Sequence, residues 1–233
     1  MHFFSKEKKF YGGHGIVGGQ IGLGAGIAFA EKYKGSDAVT ICFFGDGAAR
    51  QGLLHETFNM AMLWKLPVVF VCENNFYASH MALLQRRAKD NILEAAHVHG
   101  LAGERLDGND AVLVFEKARE AVRRARNGEG PTLLECRTYR WRGHVGPSWD
   151  MDVGVQRKDE LKDWLGRDPI QKLRSDLLAI PGMSDRLSVF DEVLERQVEE
   201  AIVFARASRP PAAGDLDLAL FHENDAEATP CVS

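Results

Sequence analysis

No stretch of this sequence is long and apolar enough to cross a bilayer: its apolar runs are broken within about eight residues, where a spanning helix needs roughly 20. Positive charge is not in excess either. Lysine and arginine number 29 against 33 acids, a formal net charge of −4 with the signs interspersed, so the basic face that announces nucleic-acid binding is missing. Cysteine is scarce and unpatterned. Cys42, Cys72, Cys136 and Cys231 show no CxxC spacing, and the first three lie in or beside apolar strand-like runs, which points to buried thiols in a reducing compartment, the cytoplasm by default. No GxGxxG turn opens a helix after a strand, which argues against a generic nucleotide-binding module. The opening MHFFSKEKKF has neither the apolar core of a secretory signal nor the Arg/Ser-rich character of a transit peptide, and no internal repeat is evident.

Glycine, by contrast, is concentrated where a chain rarely carries it. The segment YGGHGIVGGQIGLGAGIAFAEKYKG begins as a loop, and residues 17–33 read as a helix despite Gly22, Gly24 and Gly26. Each of those costs about 1 kcal/mol against alanine, so close approach of another backbone is the expected compensation. Downstream, Val39–Phe44 reads as a buried strand, 50–65 as a helix and Pro67–Cys72 as a second strand. Then come a helix at 91–99, a short strand Glu104–Leu106, a helix from Asp110 to Arg126 with one apolar face, and a third long strand Thr132–Thr138. Alternating strands and helices predict an α/β fold with a doubly wound parallel sheet. A polar loop runs from Tyr139 to Gly154, and residues 157–180 form two helical segments split at Asp168-Pro169. A long helix starts at Ser184, with Leu187, Phe190, Leu194, Val198, Ala201, Ile202 and Ala205 as its apolar stripe. Residues 212–233 carry five acids and no Lys or Arg, the composition of a mobile or docking tail.

One stretch joins two ordinary signals into an unusual pair. FFGDGAARQGLLHETFNMAMLWKLPVVFVCENN, residues 43–75, leaves one strand through Gly45-Asp46-Gly47, crosses by a helix, and leaves the next strand through Asn74-Asn75. Two strands joined by a crossover helix run parallel, so Asp46 and Asn75 fall at the same sheet edge, where such sheets bind ligands. Taken singly, each is better explained by a tight turn or a capping asparagine; the pair at this spacing is not.

The GDG…N spacing, with Asn75 placed 29 positions after Asp46, resembles the signature of thiamine diphosphate enzymes. GGHGIVGGQ, GDGAARQG, FNMAMLWKLP, CENN and TYRWRGH together resemble the alpha subunit of the decarboxylating first component of 2-oxo acid dehydrogenase complexes, a group that includes pyruvate, branched-chain and acetoin enzymes. The resemblance runs from Met1 to about residue 170. It implies a thiamine diphosphate-binding α/β domain over 1–180, lacking its N-terminal part, then a C-terminal helix over 181–211 and the acidic tail 212–233. It implies thiamine diphosphate and Mg2+ as cofactors. The metal ligands would be Asp46, Asn75 and the main-chain carbonyl of Tyr77, a carboxylate, an amide and a carbonyl oxygen suiting a hard cation. Gly45 and Gly47 would let the backbone come close, the N–H groups of Gly47 and Ala48 would face the diphosphate, and Gly15 and Val17 would meet the aminopyrimidine ring, with Ile16 packing. Glu56 and Asn59 read as ordinary polar helix residues.

TYRWRGHVGPSWD resembles the loop that closes over the cofactor, which makes His144 the catalytic histidine and gives Arg140 a phosphate-side role, with Arg142 pairing with phosphate or with acids that order the loop. Val145 stands where some animal relatives carry a phosphorylated serine, and Val155-Gln156-Arg157 lacks a Tyr-Arg pair usual there. The activating glutamate of the resembled heterotetramers belongs to the beta subunit, so no residue here takes that role. The implied partners are a beta subunit in an alpha2beta2 heterotetramer, a lipoyl-bearing acyltransferase and a small 2-oxo acid, with no nucleic acid and no membrane. Pyruvate is the expected substrate, with acetoin as the alternative. Relatives also carry an upstream Tyr-Arg pair, so Met1 is expected to be an internal methionine of a longer protein, and a non-catalytic remnant of the fold is the remaining alternative.

Overall fold

The computed structural model describes residues 3–13, 15–149 and 158–215. The acidic tail beyond 215, Cys231, and Val155-Gln156-Arg157 lie outside them. The chain divides into two compact units, Met1–Asp176 and Leu177–Ser233.

The first unit is built on four parallel strands in the order β1-β2-β6-β5: β1 (Thr40–Gly45), β2 (Val68–Asn74), β5 (Ala102–Asp107) and β6 (Thr132–Arg137). Alternate residues of β2 serve opposite faces, as the two-residue strand period requires. Phe70 and Cys72 join a core with Ile21 and Ala28 of α1 (Gly19–Tyr33), Leu54 and Phe58 of α2 (Gly52–Leu63) and Ile92 and Ala96 of α4 (Ile92–Val98). Val69 and Val71 pack on the other side with Ala121 and Val122 of α5 (Ala111–Arg126). Helices on both faces of a parallel sheet make the doubly wound architecture expected from the alternation of elements. Cys42, Cys72 and Cys136 are buried and free.

Several details differ from the sequence reading. The helix after the GDG turn is split into a 3-10 turn, Ala48–Arg50, and α2. β2 runs two residues further, and β5 spans six residues where three were expected. A small hairpin, β3 (Tyr77–Ala78) with β4 (Met81–Ala82), and the short α3 (Leu83–Arg86) carry no hydrophobic period and were not anticipated. Where the α1 glycines meet anything, it is a side chain rather than backbone. A Cβ on Gly24 would lie 2.9 Å from Cys42 Cβ, one on Gly22 would touch Leu53 at 3.5 Å, and Gly26 has open space. Helices α6 (Lys158–Leu165) and α7 (Pro169–Leu178) flank Asp168, as expected.

In the second unit, α8 (Met183–Ala207) is one uninterrupted helix capped by Gly182 at φ 79°. None of its described residues is buried; Phe190, Leu194, Val198 and Ile202 of the stripe are all exposed.

Candidate functional site

Gly45, the last residue of β1, lies in parallel register beside Glu73 of β2. Asp46 and Asn75 therefore leave adjacent strands at the same edge, one and two residues beyond that pair. Asp46 is 1% exposed. Gly47 has ordinary helical angles, so glycine is needed there for space: a Cβ would sit 3.0 Å from that of Ala78. The first bonds of the following 3-10 turn are donated by Arg50 to Gly47 O and by Gln51 to Ala48 O. The N–H groups of Gly47 and Ala48 thus stand at the start of the turn, where helix-type donors are left for a ligand.

The two asparagines divide the work. Asn74 is fully buried; its Nδ2 donates to Glu135 Oε1 at 2.8 Å and its Oδ1 accepts from the Phe76 N–H at 3.1 Å. Asn75 is half-buried and its Oδ1 accepts from the Tyr77 N–H at 3.1 Å, an Asx turn that aims the chain into the hairpin. Phe76 and Ser79, on either side of Tyr77–Ala78, both adopt left-handed backbone (φ 66° and 53°). Such conformations cost on the order of 1–3 kcal/mol each and persist where surrounding structure holds them.

That support is visible. The hydroxyls of Tyr77 and Tyr139 both donate to Glu160 Oε2, at 2.8 and 2.7 Å. Tyr139 stacks on Trp164 of α6 at 5.4 Å between ring centroids. The Arg140 guanidinium donates to Ser79 O at 2.6 Å and to Arg142 O at 3.1 Å, so the base of the Tyr139 loop is tied to the hairpin. Beyond it the loop folds on itself: Gly143 N donates to Ser148 O at 2.8 Å and Arg142 lies over the Trp149 ring at 4.2 Å. His144 is exposed in this fold-back.

The glycine loop reaches the same edge. Gly18 has φ 87°, and a Cβ there would sit 2.7 Å from Gln51 Cγ, so only glycine lets Gly15–Gly18 pass beside the 3-10 turn. Gly15 and Val17 are exposed, and Ile16, expected to pack, is 74% exposed. Glu56 and Asn59 are exposed on α2. The structure therefore gathers Gly45, Asp46, Gly47, Ala48, Asn75 and Tyr77 at one edge, brings Arg140 to the hairpin, and leaves Val17 and His144 solvent-facing.

Sequence reasoning missed Arg86. It is buried, with Nη1 donating to Asp46 O at 2.9 Å and Nη2 paired with Asp46 Oδ2; burial first, and Arg87 second, push its pKa down. Nothing in QRR marks one arginine as special. Glu135 was missed too, although a lone acid within the apolar run TLLEC signals a buried partner; it holds Asn74 and Arg105, the latter at 3.0 Å.

A carboxylate, an amide and a main-chain oxygen at one edge fit the oxygen preference of a magnesium-type cation, which takes few protein ligands beside phosphate and water. The fit carries one condition: Arg86 already holds Asp46 Oδ2, so a cation would meet Oδ1 or displace the guanidinium. Among the described residues no three His, Cys, Asp or Glu side chains form a metal-holding cluster.

Comparison with known proteins gives a consistent picture. The family model described as "Dehydrogenase E1 component" matches residues 1–213. The pyruvate dehydrogenase E1 component subunit alpha of Rhizobium meliloti is 41% identical over 218 residues, which is 93% of this chain and 62% of that protein. The subunit of the same name from Zymomonas mobilis is 41% identical over 217 residues, 93% of this chain and 60% of the relative. A chloroplastic alpha-3 subunit from Oryza sativa is 40% identical over 227 residues, 93% and 52%. The chain thus spans some three fifths of the length of these two bacterial relatives, and across nearly all of its own length it belongs to the dehydrogenase E1 component family.

Proposed function

We propose that this chain is the alpha subunit of a thiamine diphosphate-dependent 2-oxo acid dehydrogenase, acting in the oxidative decarboxylation of pyruvate with acyl transfer to a lipoyl group. The observation that carries the reading is the pairing of Asp46 and Asn75 at the ends of two adjacent parallel strands, within a chain of this family. The names of the relatives favour pyruvate over acetoin.

Thiamine diphosphate, when bound, supplies the carbanion-stabilising chemistry. The protein's part is positioning. Asp46, Asn75 and the Tyr77 carbonyl would hold Mg2+, while Gly45, Gly47 and Ala48 present backbone to the diphosphate. Gly15 and Val17 would border the aminopyrimidine. His144, from the exposed loop whose base Arg140 anchors, would move toward the site as the loop closes and exchange a proton there. The Glu160 carboxylate steadies Tyr77 and Tyr139 together, linking the metal edge to the loop.

The reading includes a beta subunit in an alpha2beta2 assembly, which brings the activating glutamate, and a lipoyl-bearing acyltransferase. The open apolar stripe of α8 supplies a surface for subunit pairing, and the three domains expected from the sequence, 1–180, 181–211 and 212–233, are kept as part of it. Free buried cysteines accord with a cytoplasmic location. No helix among the described residues is long and apolar enough to cross a membrane.

The test is reconstitution of the full-length alpha chain with its genomic beta neighbour, following dye reduction with pyruvate, acetoin and 3-methyl-2-oxobutanoate in parallel. Pyruvate should give the fastest reduction. Reduction with acetoin alone would contradict the decarboxylation while leaving the cofactor assignments open.

A further inference from the structure

Beside Arg86 lies an open cleft of about 320 Å3, lined by Arg50, His55, Arg86, Arg87, Lys89 and Asn91 with two alanines between them. No carboxylate lines it. Arg86 is paired with Asp46; Arg87 hydrogen-bonds two neutral acceptors, Asn91 Oδ1 at 3.0 Å and Ala49 O at 2.7 Å, with Glu135 and Asp90 acting on it only at longer range. The Nε atoms of Arg86 and Arg87 are buried without a hydrogen-bond partner. Arg50 and Lys89 are exposed and make no ion pair with another described residue. At the wall, His55 Nδ1 lies 3.3 Å from His99 Nε2; burial first, then His99 and Arg87, hold the His55 imidazole below its ordinary pKa.

Gathering cations in one half-enclosed place is unfavourable unless something negative offsets them, since like charges disfavour one another most where water is partly excluded. Acids offset Arg86 directly and Arg87 at longer range, whereas Arg50 and Lys89 meet no acid in an ion pair among the described residues, unlike Arg105 and Arg137, which meet Asp90 and Glu135. Guanidinium forks and an ammonium together match the several oxygens of a phosphate. The volume sits at the lower end of small-ligand pockets, about 300–1,000 Å3. The cleft adjoins the Asp46–Asn75 edge through Arg86 and through Ala49 and Arg50 of the 3-10 turn; none of the residues assigned to thiamine diphosphate or magnesium lines it. We propose that this cleft binds a phosphate group, free or esterified on a small molecule. The site does not depend on the proposed activity.

The test is isothermal calorimetry of the full-length chain with inorganic phosphate, tripolyphosphate and glycerol 3-phosphate as separate arms, the arms deciding between a free and an esterified phosphate. It is repeated on an Arg50→Gln/Lys89→Gln double variant, whose two sites are exposed and whose fold is checked by circular dichroism. At least one probe should bind with one-to-one stoichiometry and lose tenfold or more in affinity in the variant, and NMR should show the His55 imidazole signals shifting on its addition. Absence of binding by all three probes would overturn the proposal. So would undiminished binding by the variant, or displacement of the bound probe by thiamine diphosphate with magnesium, which would put the anion at the Asp46 edge.

Discussion

Arg86 grips Asp46 at two points, its main-chain oxygen at 2.9 Å and its carboxylate, with both residues buried. The pair closes the end of β1 from a segment forty positions away in the chain. Removing the guanidinium leaves a buried carboxylate without its partner, which costs on the order of 3–5 kcal/mol. Arg86→Met is therefore expected to lower the unfolding free energy measured in urea by about 3–5 kcal/mol, with a corresponding fall in the midpoint. Magnesium with thiamine diphosphate should recover part of the loss, because a cation then faces the same carboxylate.

A second expectation concerns acid. His55 has a pKa lowered by burial, by His99 and by Arg87, so in the window below its ordinary value the unfolded chain binds more protons than the folded one. Stability then rises with pH there: the His55 contribution is fully present above the unfolded value and is lost as the pH falls through the lowered folded one. Denaturation curves taken between pH 8 and 5 should show this loss, and His55→Gln should flatten that part of the profile. An unchanged profile would place the sensitivity elsewhere.

Glu160 is the third point. One carboxylate oxygen receives both tyrosine hydroxyls, and hydrogen bonds to charged groups are worth about 1.5–3 kcal/mol. Glu160→Ala should destabilise the protein by roughly that amount and shift Trp164 emission to the red as its stack on Tyr139 loosens. Tyr139→Phe, which keeps the ring and loses one donor, should do less.

The cysteines give a chemical check on the fold. Burial pushes the Cys42 thiol up to about 12 and Cys136 to about 11, and raises Cys72 as well. Since the thiolate is the reacting species, Cys42, Cys72 and Cys136 should resist alkylation at pH 8 in the native protein and react once it is unfolded in urea. Labelling of any of the three before unfolding would contradict the core as described.

The sheet was legible because its signals are local. Val39–Phe44, with one threonine, and Pro67–Cys72 are apolar runs, and the crossover helix between them decides that they run parallel, which in turn places Asp46 and Asn75 together. The hairpin Tyr77–Ala82 was not legible: it is held by left-handed Phe76 and Ser79 and by a tyrosine pair on Glu160, 83 positions after Tyr77, none of which leaves a periodic trace. The compensation for the α1 glycines was misjudged for a related reason. Sequence shows that space is needed at Gly24 but not that Cys42 fills it. Arg86 stayed hidden because its role depends on a fold-back that no neighbouring residue announces, whereas the close approach at Gly47, implied by the family resemblance, is met by Ala78.

The assignment of Asp46 to a magnesium-bound diphosphate site is open to calorimetry on the full-length alpha chain with its beta partner, titrated with thiamine diphosphate in the presence and absence of magnesium. Asp46→Asn keeps the side-chain volume and a hydrogen-bond acceptor for Arg86 but removes the charge. Magnesium-dependent binding should fall at least tenfold in this variant while its circular dichroism stays that of the folded protein. Binding of undiminished strength and unchanged magnesium dependence would contradict the assignment.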